Sequence, residues 1–320
     1  MNVRTPEPEL DLVVVDRTVV AAAVVSLALE DPDGAPLPSW RPGAHLDLLL
    51  PDDLVRQYSL CGSPADTGSY RVAVLRETAG RGGSVAVHER LRVGDRVRVR
   101  GPRNHFPLEP AREYLFLAGG IGITPLLPMI EEVAAGERPW RLYYGGRTHS
   151  SMAFAQQLVA EHPEHVTLVP QDEQGPLDLD ALLAALRPGT AVYCCGPEGL
   201  LAAVEERCGR ESGTNLHLER FAPKQDVLGG PESTFTVELA ESGMTLEVPP
   251  GRSILEVAEE AGVFVMSSCQ EGTCGTCETK VLAGTPEHRD SVLSDEEHES
   301  GRTMMVCVSR AKSDGLVLDL

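Results

Sequence analysis

The stretch SSCQEGTCGTCET, residues 267–279, places three cysteines among glycines and small hydroxyl residues. Four residues separate Cys269 from Cys274, two separate Cys274 from Cys277, and the next cysteine along the chain is Cys307. Cysteines this close together indicate a metal site, a redox site or a disulfide knot. Each alternative predicts a different protein, so the spacing and the rest of the chain have to decide among them.

The spacing Cys-x4-Cys-x2-Cys followed by a distant cysteine is typical of plant-type [2Fe–2S] sites. In such a site three thiolates of one loop surround a small cluster, and glycines such as Gly272 and Gly275 allow the backbone to approach it closely. A structural zinc site would more usually have two Cys-x2-Cys pairs or regularly spaced histidines. His288 and His298 lie in an acidic stretch without such spacing. The predicted metal ligands are Cys269, Cys274, Cys277 and Cys307.

The size and charge of the chain limit the possible functions. Its 320 residues are enough for two or three domains with separate cores. The formal charge is −20, which argues against a nucleic-acid partner and against an anionic membrane surface, because both need a basic footprint. Residues 234–320 contain 16 Asp and Glu but 6 Lys and Arg. This acidic end either steers a basic protein partner or simply keeps the surface hydrated.

The expected location is the cytoplasm. No apolar run reaches the 18 to 20 or so residues needed to cross a bilayer, and the start MNVRTPEPEL lacks the basic and apolar parts of a secretory signal. Cytoplasmic thiols stay reduced, and the other four cysteines are scattered along the first two-thirds of the chain. A disulfide framework is therefore not expected.

The hydrophobic pattern divides the chain into three domains and a linker. Residues 1–109 contain short alternating runs such as LDLVVV and YRVAVLRE, which predict an antiparallel barrel or sandwich. Residues 110–222 alternate between strand and helix patterns, which favours a parallel sheet with helices on both faces. Residues 223–233 are rich in proline and glycine and predict a linker. Residues 234–320 carry the cysteine loop.

The third domain has its own sequence of elements. The pattern predicts a hairpin from FTVELAES and MTLEVPPG, a helix over SILEVAEEAG, the cysteine loop and a strand at ETKVLAG. Ser294 and Glu297 have the spacing of a helix capping box. MMVCVSRA, residues 304–311, predicts a closing strand that carries Cys307.

Two motifs in the first domain together predict a phosphate site. RQYSLCG, residues 56–62, offers an arginine, whose paired donors suit phosphate, and a tyrosine with a flat apolar face. Gly80, Arg81 and the glycines that follow precede a helical pattern, and a glycine-rich helix start presents free N–H groups to an anion. Each motif alone is weak evidence for a phosphate site, but the two occur in the same β-rich domain and therefore support each other.

The second domain contains a glycine-rich strand-to-helix turn, LAGGIGITPLL, at residues 117–127. Its glycines do not follow the G-x-G-x-x-G dinucleotide pattern, so the rule of an acidic residue on the ribose does not apply. CCGPEGL, residues 194–200, and YYGGRT, residues 143–148, follow later strands. A nucleophilic role for Cys194 or Cys195 needs a histidine and an acid nearby, and none is evident in the local sequence.

The order of these motifs resembles the phthalate dioxygenase reductase family, within the ferredoxin–NADP reductase superfamily, over essentially the whole chain. RQYS is similar to the Arg-x-Tyr-Ser motif of that superfamily. Other similar segments are GPRNHFPL at 101–108, HRDSVLSDEE at 288–297 and MMVCVSRA at 304–311. The resemblance implies an antiparallel flavin-binding β-barrel, a parallel-sheet α/β nucleotide-binding domain and a C-terminal plant-type ferredoxin domain of the β-grasp fold.

The same resemblance implies the cofactors FMN and NADH beside the [2Fe–2S] cluster, and residue roles. Arg56 would neutralise the flavin phosphate, Tyr58 would pack on the flavin ring, and Ser59, Thr124 and Cys195 would line the hydride-transfer pocket. Arg147 fits either a pyrophosphate or a 2′-phosphate, and the family favours NADH. The full cofactor-binding set is Arg56, Gln57, Tyr58, Ser59, Leu60, Val74, Leu75, Arg81, Gly82, Gly83, Ser84, Gly119, Gly120, Gly122, Thr124, Arg147, Cys195, Gly196, Pro197 and Phe221.

The activity that the resemblance implies is that of an enzyme, the reductase component of an oxygenase system. Hydride would pass from NADH to FMN and single electrons would pass through the cluster to a Rieske-type non-haem iron oxygenase or demethylase. One alternative is a haem-thiolate monooxygenase as the partner. Another is an electron-carrier module without enzymatic activity. A monomer is expected.

Overall fold

A computed structural model of the protein describes residues 8–52, 54–210, 215–224 and 232–320. These residues divide into two units, Met1–Glu219 and Arg220–Leu320. Most of the predicted linker, at 225–231, lies outside the described residues. No helix in the described ranges is long and apolar enough to span a membrane.

Six antiparallel strands form a barrel at the start of the first unit, as the alternating pattern predicted. Their order is β4-β3-β6-β1-β2-β5, and a bridge between Leu60 and Val72 joins the two outer strands. The barrel core contains Leu27, Leu46 and Leu48, all with no exposed area. The strands are β1 (Glu9–Ala21), β2 (Val24–Glu30), β3 (Ala44–Leu50), β4 (Leu54–Ser59), β5 (Ser69–Leu75) and β6 (Arg96–Asn104), and helix α1 (Gly83–Arg90) lies between the last two.

A five-stranded parallel sheet follows the barrel and confirms the second predicted fold. Its strands are β7 (Glu113–Gly119), β8 (Trp140–Gly146), β9 (Val166–Pro170), β10 (Thr190–Cys195) and β11 (Asn215–Glu219), in the order β11-β10-β7-β8-β9. Its helices are α2 (Leu126–Ala134), α3 (Ala155–Glu161), α4 (Gln171–Gln174), α5 (Leu179–Ala184) and α6 (Glu198–Arg210). Phe116 and Ala118 enter the core on one face, and Leu115 and Leu117 enter the core on the other. Both faces of the sheet are therefore covered.

The barrel and the parallel sheet pack directly on each other. Val24, Cys61 and Ala73 of the barrel share a buried apolar cluster with Ala153. The backbone N–H of Ala22 donates to the carbonyl of Ser150 at 2.8 Å. The two folds belong to one unit, Met1–Glu219. The predicted boundaries at 109, 222 and 233 stay predictions.

The second unit is a mixed five-stranded sheet covered by a helix, the arrangement of the predicted β-grasp domain. The strand order is β13-β12-β18-β14-β16, and β12 and β18 run parallel. Ile254, Leu255 and Ala258 of helix α7 are buried in its core. The elements are β12 (Phe235–Leu239), β13 (Met244–Val248), α7 (Ile254–Glu260), β14 (Glu278–Ala283), β15 (Pro286–Glu287), α8 (Asp295–Ser300), β16 (Thr303–Met305), β17 (Arg310–Ala311) and β18 (Gly315–Leu318).

Local predictions in this unit had different outcomes. The capping box is confirmed: the Ser294 hydroxyl accepts from the N–H of Glu297, and the Glu297 carboxylate accepts from the N–H of Ser294 at 2.8 Å. The closing strand predicted over MMVCVSRA is wrong, because β16 ends at Met305 and residues 306–308 form a turn. The N–H of Ser309 donates to the carbonyl of Met305 at 2.9 Å, so the chain folds back and Cys307 lies in that turn.

Candidate functional site

Four buried cysteines converge in the second unit. Cys269, Cys274 and Cys277 lie in the loop between α7 and β14, and Cys307 lies in the turn after β16. Their exposed fractions are 8, 1, 1 and 7%. The Sγ atom of Cys269 accepts from the N–H groups of Glu271 at 3.3 Å and of Thr273 at 3.4 Å. Backbone donors therefore point at the sulfurs, as thiolate ligands require.

The backbone of the cysteine loop explains its glycines. Gly272 and Gly275 have φ values of 70° and 72°, in the left-handed region that favours glycine. A Cβ atom on Gly272 would lie 2.7 Å from Cγ2 of Val308 and 3.0 Å from Cα of Asp290. The loop thus needs glycine at 272 for two reasons, conformation and space.

The four thiols form one connected group. Hydrogen bonds from the thiols of Cys274 and Cys307 hold the pKa of Cys269 well below its usual range. Contacts with Cys269 and Cys277 raise the pKa of Cys307. None of the eight cysteines, all within the described residues, forms a disulfide, so the disulfide alternative is wrong. Four buried sulfurs from two segments, with N–H donors around them, fit a [2Fe–2S] cluster.

In the barrel, the structure brings the two halves of the predicted phosphate site together. The Arg56 side chain passes over the start of helix α1, so that a Cβ atom on Gly83 would lie 2.2 Å from its Cγ. Its guanidinium donates to the carbonyl of Arg81 at 2.6 Å. Gly82 precedes the helix with φ 82°, a conformation suited to glycine. An arginine beside open helix N–H groups fits a phosphate.

The loop before α1 is held by side-chain contacts. The Ser84 hydroxyl accepts from the N–H of Glu77 at 3.0 Å. One nitrogen of His88 contacts the carbonyl of Val74 at 2.8 Å. These bonds tie the helix to the end of β5, where the predicted contact residues Val74 and Leu75 lie. Leu60 has no exposed area and bonds through its N–H to Ala44.

The pleat of β4 separates the predicted flavin contacts onto two faces. Tyr58 lies opposite Leu46 of β3 and packs on the barrel core, and burial raises the pKa of its hydroxyl. Gln57 and Ser59 point to the other face, because successive side chains alternate. The Nε2 atom of Gln57 is buried and has no hydrogen-bond partner among the described residues. Because β4 is an outer strand of the sheet, a planar cofactor lying along it would meet the Tyr58 ring on one face and the unsatisfied Gln57 amide on the other.

The predicted nucleotide loops meet where the strand order of the parallel sheet reverses, between β7 and β10. A Cβ atom on Gly196 would lie 2.9 Å from Cα of Gly119, and one on Gly122 would lie 2.2 Å from the carbonyl oxygen of Cys195. The glycines are therefore required for the two loops to touch. In open α/β sheets, ligands bind outside the carboxyl ends of the strands at such a switch point.

Two hydroxyl groups stabilise the first of these loops. Thr124 is 2% exposed, and its hydroxyl donates to the carbonyl of Ile121 at 3.0 Å. The Tyr144 hydroxyl donates to the carbonyl of Gly120 at 3.0 Å. Residues 120–123 consequently form a 3₁₀ turn, and α2 begins at Leu126. The helix starts later than the glycine-rich motif suggested.

The remaining predicted residues lie at different positions. Arg147 is exposed at the carboxyl end of β8, and Pro197 starts α6 by accepting from the N–H of Leu200 at 2.9 Å. Phe221 is 45% exposed and falls in the second unit. Its contact with a flavin therefore stays a prediction.

Glu219 is a candidate functional residue that the sequence analysis missed. One oxygen of its carboxyl group lies 3.4 Å from the Ser59 hydroxyl and 3.9 Å from the Cys195 thiol. Burial raises the pKa of Glu219 to about 8. It joins the predicted hydride-transfer residues of the barrel and the sheet. The only signal in the sequence is an acid at the end of the apolar run LHLE, residues 216–219.

The Cys195 thiol is unsuited to nucleophilic attack. It has no exposed area, and burial together with the Glu219 carboxylate raises its pKa well above the usual range. A reactive cysteine needs a stabilised thiolate and solvent access. The geometry favours a role as a neutral wall of the pocket.

Two family descriptions match parts of the chain. Residues 116–206 match "Oxidoreductase NAD-binding domain", and residues 237–312 match "2Fe-2S iron-sulfur cluster binding domain". The phthalate dioxygenase reductase of Burkholderia cepacia is 40% identical over 323 residues, which cover 99% of each chain.

Solved structures share the architecture. A phthalate dioxygenase reductase, described as a modular structure for electron transfer from pyridine nucleotides to [2Fe–2S], matches with a TM-score of 0.71 and 40% identity over 98% of each chain. An intact type IV self-sufficient cytochrome P450 monooxygenase matches with a TM-score of 0.91 and 41% identity. That match covers all of this chain but 43% of the other.

Proposed function

This chain belongs to the phthalate dioxygenase reductase family, and we propose that it takes electrons from NADH at the first unit and delivers them singly from the second. It is an oxidoreductase, the reductase component of an oxygenase system, with an NAD-binding domain and a [2Fe–2S] domain. The observation that carries the proposal is the meeting of Ser59, Cys195 and Glu219 between the barrel and the switch point of the sheet.

The barrel residues support FMN as the flavin. Arg56 and the start of α1 would hold its phosphate, and Tyr58 would cover its ring. A bound flavin supplies the ability to accept two electrons as a hydride and to release them one at a time. Gln57 would satisfy its buried amide on the polar edge of the ring.

The sheet residues support the pyridine nucleotide. At the switch point the partly exposed Gly120 and Gly196 would offer their backbone to a pyrophosphate, and Arg147 follows β8 at the same edge of the sheet. Glu219 is largely protonated below about pH 8. A neutral Glu219 carboxyl group beside Ser59 adds no negative charge to the proposed hydride-transfer site. It also keeps a proton within reach of that site.

The cysteine loop is the proposed point at which electrons leave the protein. Cys269, Cys274, Cys277 and Cys307 would ligate the cluster, and the backbone N–H groups that bond to Cys269 would stabilise the charge on its sulfur. The formal charge of −10 on residues 234–320 favours a partner with a basic docking surface.

The proposed partner is a Rieske-type non-haem iron oxygenase or demethylase. A haem-thiolate monooxygenase is the second candidate, because this chain matches the solved self-sufficient P450 over its whole length. A monomer in the cytoplasm completes the proposal.

Anaerobic reduction of the purified protein tests the proposed electron route. We expect NADH to bleach the flavin absorption first and the cluster absorption afterwards, and acid-released flavin to run with FMN on a chromatograph. If neither NADH nor NADPH bleaches the protein, the proposal that the chain is a pyridine-nucleotide-dependent reductase is rejected. Release of FAD would reject the FMN assignment alone.

Coupled assays identify the partner class. The reduced protein is mixed with a purified Rieske oxygenase or with a haem-thiolate monooxygenase, and product formation is measured at increasing salt concentration. The proposal expects turnover with the Rieske enzyme, weakened by salt because charge steers the encounter. Turnover with the haem enzyme alone would favour the second candidate.

A further inference from the structure

Three metal-ligating side chains meet beside the cysteine loop and take no part in the electron route described above. They are His288, Asp290 and His298, and one donor atom of each lies within 4.8 Å of the others. His288 and Asp290 precede helix α8, and His298 belongs to it. Their spacing along the chain showed no ligand pattern, but the fold brings them together.

The distances within this group suit a metal ion. Oδ2 of Asp290 lies 3.2 Å from Nε2 of His298, and Oδ1 of Asp290 lies 3.7 Å from Nδ1 of His288. Ligand atoms about 2.0 to 2.2 Å from a tetrahedral zinc ion lie roughly 3.3 to 3.5 Å from one another. The two imidazole rings are stacked with centroids 4.4 Å apart. Because the lone pair of an imidazole nitrogen lies in the plane of its ring, one of these two rings has to turn out of the stack before all three donors face one ion.

The burial of these groups calls for a ligand. The His288 side chain is 8% exposed, yet neither of its ring nitrogens has a hydrogen-bond partner among the residues that the structure describes. Buried polar atoms are normally bonded, so an unsatisfied imidazole points to a ligand. The distance of 3.7 Å to Asp290 exceeds that of a hydrogen bond.

Asp290 also needs a positive charge. Its side chain has no exposed area, and in the described part of the chain no arginine or lysine forms an ion pair with it. The neighbouring Arg289 instead bonds to Glu232 at 2.6 Å and to Glu287 at 3.0 Å. A buried carboxylate is stable when it is paired or coordinates a metal.

Outer contacts hold the carboxylate in place. Oδ2 of Asp290 accepts from the N–H groups of Val292 at 3.2 Å and Leu293 at 2.9 Å. Such hydrogen bonds orient metal-ligating carboxylates in known sites. The next residue, Ser291, donates its N–H to the carbonyl of Gly272 at 2.8 Å. The group is thus attached directly to the cysteine loop.

We propose that His288, Asp290 and His298 bind one divalent transition-metal ion of the zinc class, which ties His288 and Asp290 to helix α8 beside the cysteine loop. Two imidazole nitrogens and one carboxylate oxygen are ligands that Zn²⁺ accepts, and water completes its coordination. This site is separate from the [2Fe–2S] cluster and does not depend on the proposed electron route. The competing explanation is a protonated imidazole as the counter-charge of Asp290.

Zinc titration of the full-length holoprotein tests the site. The protein is treated with a chelator, checked for unchanged iron content, and titrated with ZnCl2 against a chromophoric chelator. We expect one zinc ion per chain, bound at least ten times more weakly by His298→Ala and by His288→Gln. His149→Ala, which removes an exposed histidine of the first unit, should bind zinc like the wild type.

A second measurement follows the cluster itself. Zinc should slow the loss of cluster absorption in denaturant about two-fold or more in the wild type and in His149→Ala, but not in His288→Gln. A wild type that binds no zinc, or equal binding by the wild type and both site variants, would overturn the proposal in favour of the protonated imidazole. Reduction by NADH is measured on the same samples, and its failure would count against the proposed function instead.

Discussion

At the scale of single residues, environment gives ordinary side chains unusual properties. Glu219 ends a strand in a pocket with Ser59 and Cys195, and the burial that raises its pKa to about 8 is not visible in the sequence. The contact of the Arg56 side chain with Gly83 is likewise not visible in the sequence. Residue type could be read from the sequence, but the surroundings that set each pKa and contact come from distant segments.

Replacing Glu219 by Gln should remove a pH dependence of the stability of the protein and of the rate of flavin reduction. The raised pKa means that the folded protein holds this proton up to about pH 8, whereas the unfolded chain releases it near the usual pKa of 4.5. Stability should therefore fall as pH rises through this window in the wild type. Flavin reduction by NADH should slow over the same upper range. Stopped-flow rates and denaturant midpoints at pH 5 to 9 check both effects.

In Glu219→Gln both pH profiles should be flatter over this range. Glu164→Gln, a change at an exposed position, should retain the wild-type profiles. Equal profiles for Glu219→Gln and the wild type would show that another group is responsible.

Replacing Arg56 by Ala should weaken flavin binding about 10- to 100-fold, because a hydrogen bond to a charged group contributes about 1.5 to 3 kcal/mol. Fluorescence of released flavin at a series of protein dilutions measures the affinity. Arg90→Ala is a matched control in helix α1, since its ion pair with Asp52 is exposed. An unchanged affinity in Arg56→Ala would remove this residue from the phosphate site.

At the scale of elements, close packing of loops forms the proposed nucleotide site. The loops after β7 and β10 touch through glycines, so their positions depend on each other. The sequence predicted the barrel strands, the strand and helix alternation of the parallel sheet and the glycine-rich turn, but its strand over residues 304–311 was wrong. It did not predict the 3₁₀ turn at residues 120–123 or the turn that holds Cys307, because both depend on contacts with segments far along the chain.

Gly122→Ala should raise the KM for NADH at least 10-fold. The new Cβ atom would lie 2.2 Å from the rigid carbonyl oxygen of Cys195, so the two loops have to separate. Gly199→Ala is the control, since it lies in α6 with nothing within 4 Å of the added atom. Steady-state kinetics measures KM, and equal values for the two variants would contradict the packing argument.

At the scale of the whole molecule, the chain separates two kinds of chemistry. The predicted flavin and nucleotide contacts lie in Met1–Glu219, apart from Phe221, and the four cluster cysteines lie in Arg220–Leu320. Each unit has its own core. Loss of one centre should therefore leave the other in place.

Cys274→Ala tests this independence. We expect it to lose the visible absorption of the cluster while NADH still reduces the flavin at a rate within about two-fold of the wild type. Delivery to a one-electron acceptor protein should fall to background. Cys208→Ala, which removes a buried thiol of the first unit, should keep the cluster. Full electron delivery by Cys274→Ala would contradict the cluster as the exit.

The sequence by itself determined the three folds and indicated four cysteines as cluster ligands, because hydrophobic period and cysteine spacing are local properties of the chain. The barrel, the parallel sheet and the β-grasp domain were all predicted. Only the tertiary structure joined Glu219 to Ser59 and gathered His288, Asp290 and His298 into one group. The reason is physical: burial, pKa and donor geometry arise between residues that are close in space but, in these two groups, up to 160 positions apart in the chain.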